Sequence, residues 1–413
     1  MKRRTAVAIA LLWLAGIALR LTILAVPPVI SLIQSDLQLS GTEIGTLSGL
    51  PMVLFACAAL PGSLLVARLG ALSTLVLGLL VAAIASGLRG AAPNVSALYA
   101  MTIVMSAGIA VMQPALPPLA SQWLPQYVSF ATAVLTNGLL VGETLAVMLT
   151  IPVVLPLVEG SWRGAFAAWS APMLVIAFVT IWLAPKPHKA ASGASAGPRL
   201  WWPNWRNQQI WQLGFLFGSV NSVYFCSNAF LPGYLTEAGR PDLIAGALTA
   251  LNLGQLPASF VLLVTSGRIE RRAWPFILCG TAILACLVGI VTTASLSTVM
   301  FSGVLGFLGA VVLTLSFALP PLLCAPADVA RMTAAMLTIS YSEGLIVSVL
   351  SGAAWDIAGS ARAAFLPIAI IALPLVLLSP FVRLRDGCDA GIIREPLGDL
   401  SNHFLPAHPG SNL

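Results

Sequence analysis

Charge is scarce in this chain: Asp, Glu, Lys and Arg together make up 8% of its 413 residues, while 58% are apolar. A water-soluble globule of this length needs far more polar surface, so a bilayer is the solvent for most of the chain. Histidine is rarer still, and His188, His403 and His408 all fall outside the apolar runs. No imidazole is therefore available as an intramembrane proton relay. Cys57, Cys226, Cys279, Cys286, Cys324 and Cys388 are scattered, and all but Cys388 lie within or just past apolar runs, where a thiol behaves as a small apolar group. They imply no disulfide framework and no metal centre. No nucleophile stands with a base or a metal cluster, which argues against an enzyme. No Gly-rich nucleotide loop is present, and no cofactor is expected. The loops are too short for a soluble output domain, and no basic patch is interleaved with stacking aromatics, so neither a sensor nor a nucleic-acid partner is expected.

What is present is a succession of apolar runs, each long enough to cross about 30 Å of hydrocarbon, which takes about 20 residues. Twelve are expected, over residues 8–30, 44–66, 71–88, 97–119, 128–157, 162–184, 209–235, 243–266, 274–292, 298–322, 332–354 and 361–382. Lys2-Arg3-Arg4 ahead of the first run resembles a secretory signal. That run, however, continues to Pro27-Pro28 without a small-residue cleavage site, so it reads as a span. With both termini in the cytoplasm, fifteen basic residues fall inside, while Arg89, Arg163, Arg240 and Arg362 fall outside. This asymmetry sets the expected orientation in an inner (cytoplasmic) membrane. The net charge of +6 is the same asymmetry.

Residues 185–208 are the longest polar interruption, expected as a cytoplasmic linker between six spans (1–184) and six spans (209–382), with residues 383–413 a disordered tail. Trp201, Trp202 and Trp205 beside Arg199 and Arg206 suit the headgroup region. The two halves repeat. Gly45-Thr46-Leu47-Ser48-Gly49-Leu50 answers Gly246-Ala247-Leu248-Thr249-Ala250-Leu251, and Arg68 answers Arg268. Ala115-Leu116-Pro117-Pro118-Leu119 answers Ala318-Leu319-Pro320-Pro321-Leu322, and Ala133-Val134-Leu135-Thr136 answers Ala335-Met336-Leu337-Thr338. Matches in one order at offsets of 200 to 203 imply two homologous bundles enclosing a cavity.

With these features the chain resembles the major facilitator superfamily. Gly62-Ser63-Leu64-Leu65-Val66-Ala67-Arg68-Leu69-Gly70 is similar to that superfamily's loop between spans two and three, without its usual acidic residue. Three features resemble the cyanate permease and nitroimidazole transporter branch: Leu19-Arg20 before Pro27-Pro28, Gln113-Pro114-Ala115-Leu116-Pro117, and Tyr224 ahead of Phe230-Leu231-Pro232. The resemblance implies an all-α integral membrane fold of twelve transmembrane helices in two pseudo-symmetric six-helix bundles. It also implies secondary transport by alternating access and an anion-binding arginine in the first span.

Charged side chains inside spans are costly, about 2.5–3.5 kcal/mol at the centre on insertion scales, so they read as functional. Arg20 lies twelve residues into its span, about 18 Å at a rise of about 1.5 Å per residue and close to the midplane. It needs an anion, a wet cavity or a permanent carboxylate partner. Glu143 and Glu343, in the matching fifth and eleventh spans, are candidates for carrying protons, pairing with Arg20 or binding a positive substrate group, with buried acids in helix packing the plain alternative. Asn221, Tyr224 and Asn228 form a helical stripe on the seventh span, and Asn252, Gln255 and Ser259 one on the eighth, facing a cavity or a neighbouring helix. Gln113 and Tyr341 are weaker substrate candidates. Gly41, Gly45 and Gly49, and Gly138 with Gly142, permit close helix contact, while the Pro-Pro pairs at 117 and 320 suit bends or helix ends. Asn94-Val95-Ser96 matches a glycosylation triplet. The expected partners are protons, a small-molecule substrate and the lipid bilayer, with the chain functioning as a monomer. The expected activity is proton-coupled uptake of a small anion; proton-driven efflux of a cationic or amphipathic drug, and transport of a zwitterion, are the rivals.

Overall fold

The computed structural model describes residues 2–57, 59–185, 205–258, 272–293, 295–323 and 329–381. A bilayer offers no partner for backbone N–H and C=O groups, so a spanning chain must satisfy them internally. Among the described residues every regular element is a helix. Eight helices among the described residues are long and apolar enough to cross: Arg4–Leu21, Ala71–Arg89, Val95–Trp123, Phe130–Leu157, Trp162–Leu183, Trp274–Thr293, Leu296–Ser316 and Met332–Ala358. The other four expected spans are shorter, broken or more polar. The second is Gly41–Cys57 followed by Ala59–Leu69, and the seventh is the 30-residue helix Gln208–Glu237, whose apolar character is diluted by its own polar stripe. The eighth begins as Ile244–Leu253, with part of its length outside the described residues, and the twelfth is Ala361–Ala364 followed by Phe365–Leu377. The spans form an all-helical fold of twelve transmembrane helices in two six-helix bundles.

The first and fifth spans pack along one another, and so do their repeat mates, the seventh and eleventh. Small residues make the first pair close: Gly138 lies on the backbone of Trp13 and Gly142 on that of Ile17. Between the bundles the second span packs on the eleventh. Gly45 lies on the Ser348 carbonyl, Gly352 on the Gly41 backbone, and the Ser348 hydroxyl donates to the Gly45 carbonyl at 2.8 Å. The Asp356 carboxylate accepts from the N–H groups of Gly41 and Thr42 at 2.6 and 2.8 Å and from the Thr42 hydroxyl at 2.5 Å. One bundle thus caps a helix N-terminus of the other. The Ser31 and Thr236 hydroxyls meet at 3.2 Å nearby. All these contacts lie at the end of the molecule away from the N-terminus, where the second span begins and the eleventh ends.

Several expectations are corrected. The first span is not continuous to residue 30. Its helix ends at Leu21, turns through residues 22–26, passes a 3-10 turn at Pro27–Val29 and resumes as Ile30–Leu37. Pro27 and Pro28 have no N–H to continue the ladder, and the Arg20 carbonyl accepts from both Ile23 and Leu24. Arg89 is not in an outer loop. It is the last residue of the third-span helix and is 0% exposed. The two Pro-Pro pairs differ: the fourth span is interrupted by a 3-10 turn at Gln113–Ala115, whereas Leu296–Leu323 runs as helix through Pro320. The Asn94 side chain accepts from the Ala97 N–H at 2.9 Å, so the residue of the glycosylation triplet caps a helix. Trp201, Trp202 and most of the linker, Ser259, Arg268, Cys324 and the tail lie outside the described residues. Trp205 accepts from the Trp211 indole through its carbonyl at 2.9 Å.

Candidate functional site

Arg20 stands in the last turn of the first-span helix, directly before the break, and is 9% exposed. Its Nε lies 3.2 Å from Oε1 of Glu143, which is 3% exposed on the fifth span. The close packing of these two spans through Gly138 and Gly142 brings the pair together. Two phenylalanines flank the guanidinium, Phe55 of the second span with its ring centre at 5.7 Å and Phe225 of the seventh at 5.2 Å. Tyr341 of the eleventh span stands beside Arg20 and packs edge-on against Phe55 at 5.4 Å. The cation is therefore held among four spans from both bundles.

The opposite bundle completes the surroundings of Glu143. Gln255 Nε2 donates to Oε2 at 3.3 Å, and the Tyr224 hydroxyl lies 3.1 Å from the same oxygen and 2.6 Å from Asn252 Oδ1. Asn252 in turn donates to Asn228 Oδ1 at 2.9 Å and to the Leu248 carbonyl at 2.8 Å. Asn228 donates to the Tyr224 carbonyl at 3.0 Å. A phenol has one proton, and with the Asn252 amide nitrogen already donating, its oxygen requires that proton at the shorter distance. The Tyr224 oxygen then meets Glu143 Oε2 as an acceptor, a geometry that has a place for a proton between them.

The sequence-derived candidates thus divide. Arg20, Glu143, Tyr224, Asn228, Asn252, Gln255 and Tyr341 come together in one cluster. Asn221 does not join it; its amide donates to the Ser340 hydroxyl at 3.2 Å and ties the seventh span to the eleventh. Glu343 is separate too, 6% exposed beside Gly218, with the Ser219 hydroxyl 3.4 Å from Oε1 and Oε2 without a hydrogen-bond partner. A side chain at Gly218 would occupy the space of that carboxyl. Gln113 is half-buried in the 3-10 turn of the fourth span and takes no part in the cluster. Sequence reasoning missed Phe55 and Phe225, which no pattern separates from ordinary packing aromatics. It also missed Arg89, whose signal was its place at the very end of an apolar run. Among the described residues no group of His, Cys, Asp and Glu could hold a metal ion.

The family model described as Major Facilitator Superfamily matches residues 12–341. The chain is 27% identical over 256 residues to the uncharacterized transporter YycB of Bacillus subtilis (strain 168), covering 62% of each chain. It is 24% identical over 263 residues to the cyanate transport protein CynX of Escherichia coli (strain K12), covering 63% of this chain and 66% of the relative. To the 2-nitroimidazole transporter of the same organism it is 26% identical over 234 residues, covering 56% and 58%. The matched stretches therefore span less than two thirds of these relatives' lengths. Among solved structures, a bacterial homolog of the human lysosomal transporter Spinster superposes with a TM-score of 0.73 at 15% identity, covering 93% of this chain and 97% of the other. The nucleoside transporter NupG superposes at 0.72 and 11%, covering 92% and 98%. These likenesses are likenesses of fold.

Proposed function

The chain belongs to the major facilitator superfamily, and from that premise we propose that it is a secondary transporter of the inner membrane which takes up a small anion together with protons by alternating access. The observation that carries this reading is the buried pair of Arg20 Nε and Glu143 Oε1 at 3.2 Å, enclosed by side chains of both bundles. A buried guanidinium always carries its charge and always requires a counter-charge. An incoming carboxylate or similar anion offers the same fork-compatible oxygens and competes with Glu143 for Arg20. Once displaced, Glu143 is a lone charge in a dry site, which costs several kcal/mol unless a proton neutralises it. Anion binding and proton uptake are thereby linked at one carboxyl, with Tyr224 and Gln255 receiving the protonated group from the opposite bundle. Resemblance to a cyanate transport protein supports a substrate small enough for this space. The preponderance of basic residues on the side of the termini supports a cytoplasmic location for both.

The test is thermal unfolding of the purified chain against small anions, zwitterions and organic cations, repeated with Arg20→Ala. Stabilisation by an anion that is lost in the variant is the expected result. Stabilisation by cations alone, unchanged in the variant, refutes the reading and favours efflux of a cationic drug. A zwitterionic substrate is a second reading, favoured by Glu343, whose Oε2 has no hydrogen-bond partner. It requires that amino acids stabilise the protein more than anions of equal size, and that Glu343→Gln removes the difference.

A further inference from the structure

Arg89 is 0% exposed at the end of the third span, and no carboxylate pairs with it among the described residues. Its Nη1 donates to the Thr22 carbonyl at 3.2 Å and stands 3.0 Å from the Met105 sulfur, and its guanidinium lies 4.2 Å from the centre of the Phe166 ring. Nε and Nη2 have no hydrogen-bond partner. An aromatic face and one carbonyl do not balance a full positive charge in a dry interior, where an uncompensated ion costs several kcal/mol. Arg89 is among the residues that line a small, mostly apolar cavity. The cavity lies between the bundles at the break in the first span, beside Leu24, and is also lined by Ser48, Thr102, Phe225 and Asn228. Ser48, Thr102 and Asn228 are the hydroxyl and amide side chains in its wall, and no acidic residue among the described ones lines it.

We infer that Arg89 and this cavity form a second binding site for the same small anion, placed between the Arg20 site and the closed end of the molecule. The inference rests on the anion reading above. Two connections join the sites. The Phe225 ring lies against the Arg20 guanidinium and also lines the Arg89 cavity, so it borders both compartments. Asn228 lines the cavity and accepts from Asn252, which bonds Tyr224, so the cavity wall is continuous with the cluster around Glu143. The break in the first span opens the space. A straight helix through residues 22–26 would carry the chain differently past the third span, and the freed Thr22 carbonyl is what orients Arg89. An anion passing between the closed end and Arg20 therefore meets a fixed cation before it reaches the pair.

The experiment is isothermal titration of the full chain in detergent with sodium cyanate, with titrant and cell matched in ionic strength by the sodium salt of a bulky sulfonate buffer that carries no carboxylate. Wild type is expected to bind in two steps. Arg89→Gln is expected to keep only one, and Arg89→Lys to recover a weaker second step, about tenfold lower in affinity. Ser48→Leu fills the cavity while leaving the Arg89 contact with Thr22 in place. It is expected to remove the same step, and it decides the matter if Arg89→Gln does not fold. Two unchanged steps in either folded variant overturn the inference and leave Arg89 as a brace for the broken helix. A single step in wild type that Arg20→Ala abolishes overturns the inference while the anion reading stands. Absence of any cyanate step overturns both.

Discussion

Glu143 is where removing a charge and removing a contact have different consequences. Glu143→Gln keeps the shape but leaves Arg20 without its counter-charge, and because Tyr224 and Gln255 both meet Oε2, an amide there keeps only one of those two contacts. Breaking one side of a buried pair costs about 3–5 kcal/mol, so the variant should unfold several degrees lower than wild type. The loss should shrink in the presence of the transported anion, because a ligand at about 100 times its Kd stabilises by about 2.7 kcal/mol. Thermal unfolding with and without anion checks both parts. In proteoliposomes the same variant should lose stimulation of uptake by an imposed proton gradient while anion exchange persists. Tyr224→Phe should act more mildly. It leaves Asn252 Oδ1 without its donor, a loss of about 1–3 kcal/mol, and should lower uptake without abolishing binding. The single residues of this site were largely legible in the sequence, since Arg20 and Glu143 are charges in apolar runs and the polar stripes follow helical spacing. Their pairing was not, because 123 positions separate them and spacing alone does not choose between Glu143 and Glu343. Arg89 was counted among the basic residues outside the spans because the apolar run 71–88 stops just before it. Hydropathy finds where a run ends but not which way its last side chain turns.

Helices in this fold carry their information at their ends and breaks. The N-terminus of the second-span helix has unsatisfied N–H groups and a partial positive charge, and Asp356 of the other bundle answers both. Asp356→Asn should therefore weaken closure of this end without disturbing either bundle. A cap and a helix-dipole contact are each worth about 0.3–2 kcal/mol, so the open population should rise by about two- to thirtyfold. Pulsed electron–electron spacing between spin labels on the second and eleventh spans would read it, and an unchanged distance distribution would refute it. Gly352→Leu should act in the same direction through bulk, since any side chain there meets the Gly41 backbone. The existence and order of the helices could be read from the apolar runs, and Gly41, Gly45 and Gly49 marked a contact face. The break after Leu21 was hidden, because residues 21–26 are apolar but for Thr22, and only the prolines after them give a signal. Likewise Pro117-Pro118 and Pro320-Pro321 are identical in sequence, yet only the first follows an interrupted helix. Pro114, which stands inside the 3-10 turn and has Phe317 at the matching place of the repeat, is the local difference between the two stretches.

At the scale of the whole molecule, the two bundles are joined at one end through the second and eleventh spans. The repeat in the sequence predicts matched pairs of spans, and the matched pairs appear: first on fifth, seventh on eleventh. The repeat is silent on which surfaces the bundles turn to each other. That depends on the second and eleventh spans, whose glycines and Asp356 form the closed end, and on the eighth span, which brings Gln255 to Glu143. If transport requires these bodies to rock, a covalent bridge at the closed end must stop turnover without destroying the site. Thr42 and Asp356 suit this, since their side-chain oxygens are 2.5 Å apart. In a background where the exposed Cys57 is serine, Thr42→Cys with Asp356→Cys should cross-link on mild oxidation or with a short thiol-reactive bridge. Uptake into proteoliposomes should then fall by at least about tenfold and return on reversal of the link, because alternating access needs this end to open. Stabilisation by the anion should survive if the site is reached from the opposite end, because Arg20 and Glu143 lie away from the link. A cross-linked protein that still transports would mean the substrate path does not pass between the second and eleventh spans. One that no longer binds would mean that the Arg20 site is reached only through the end now sealed.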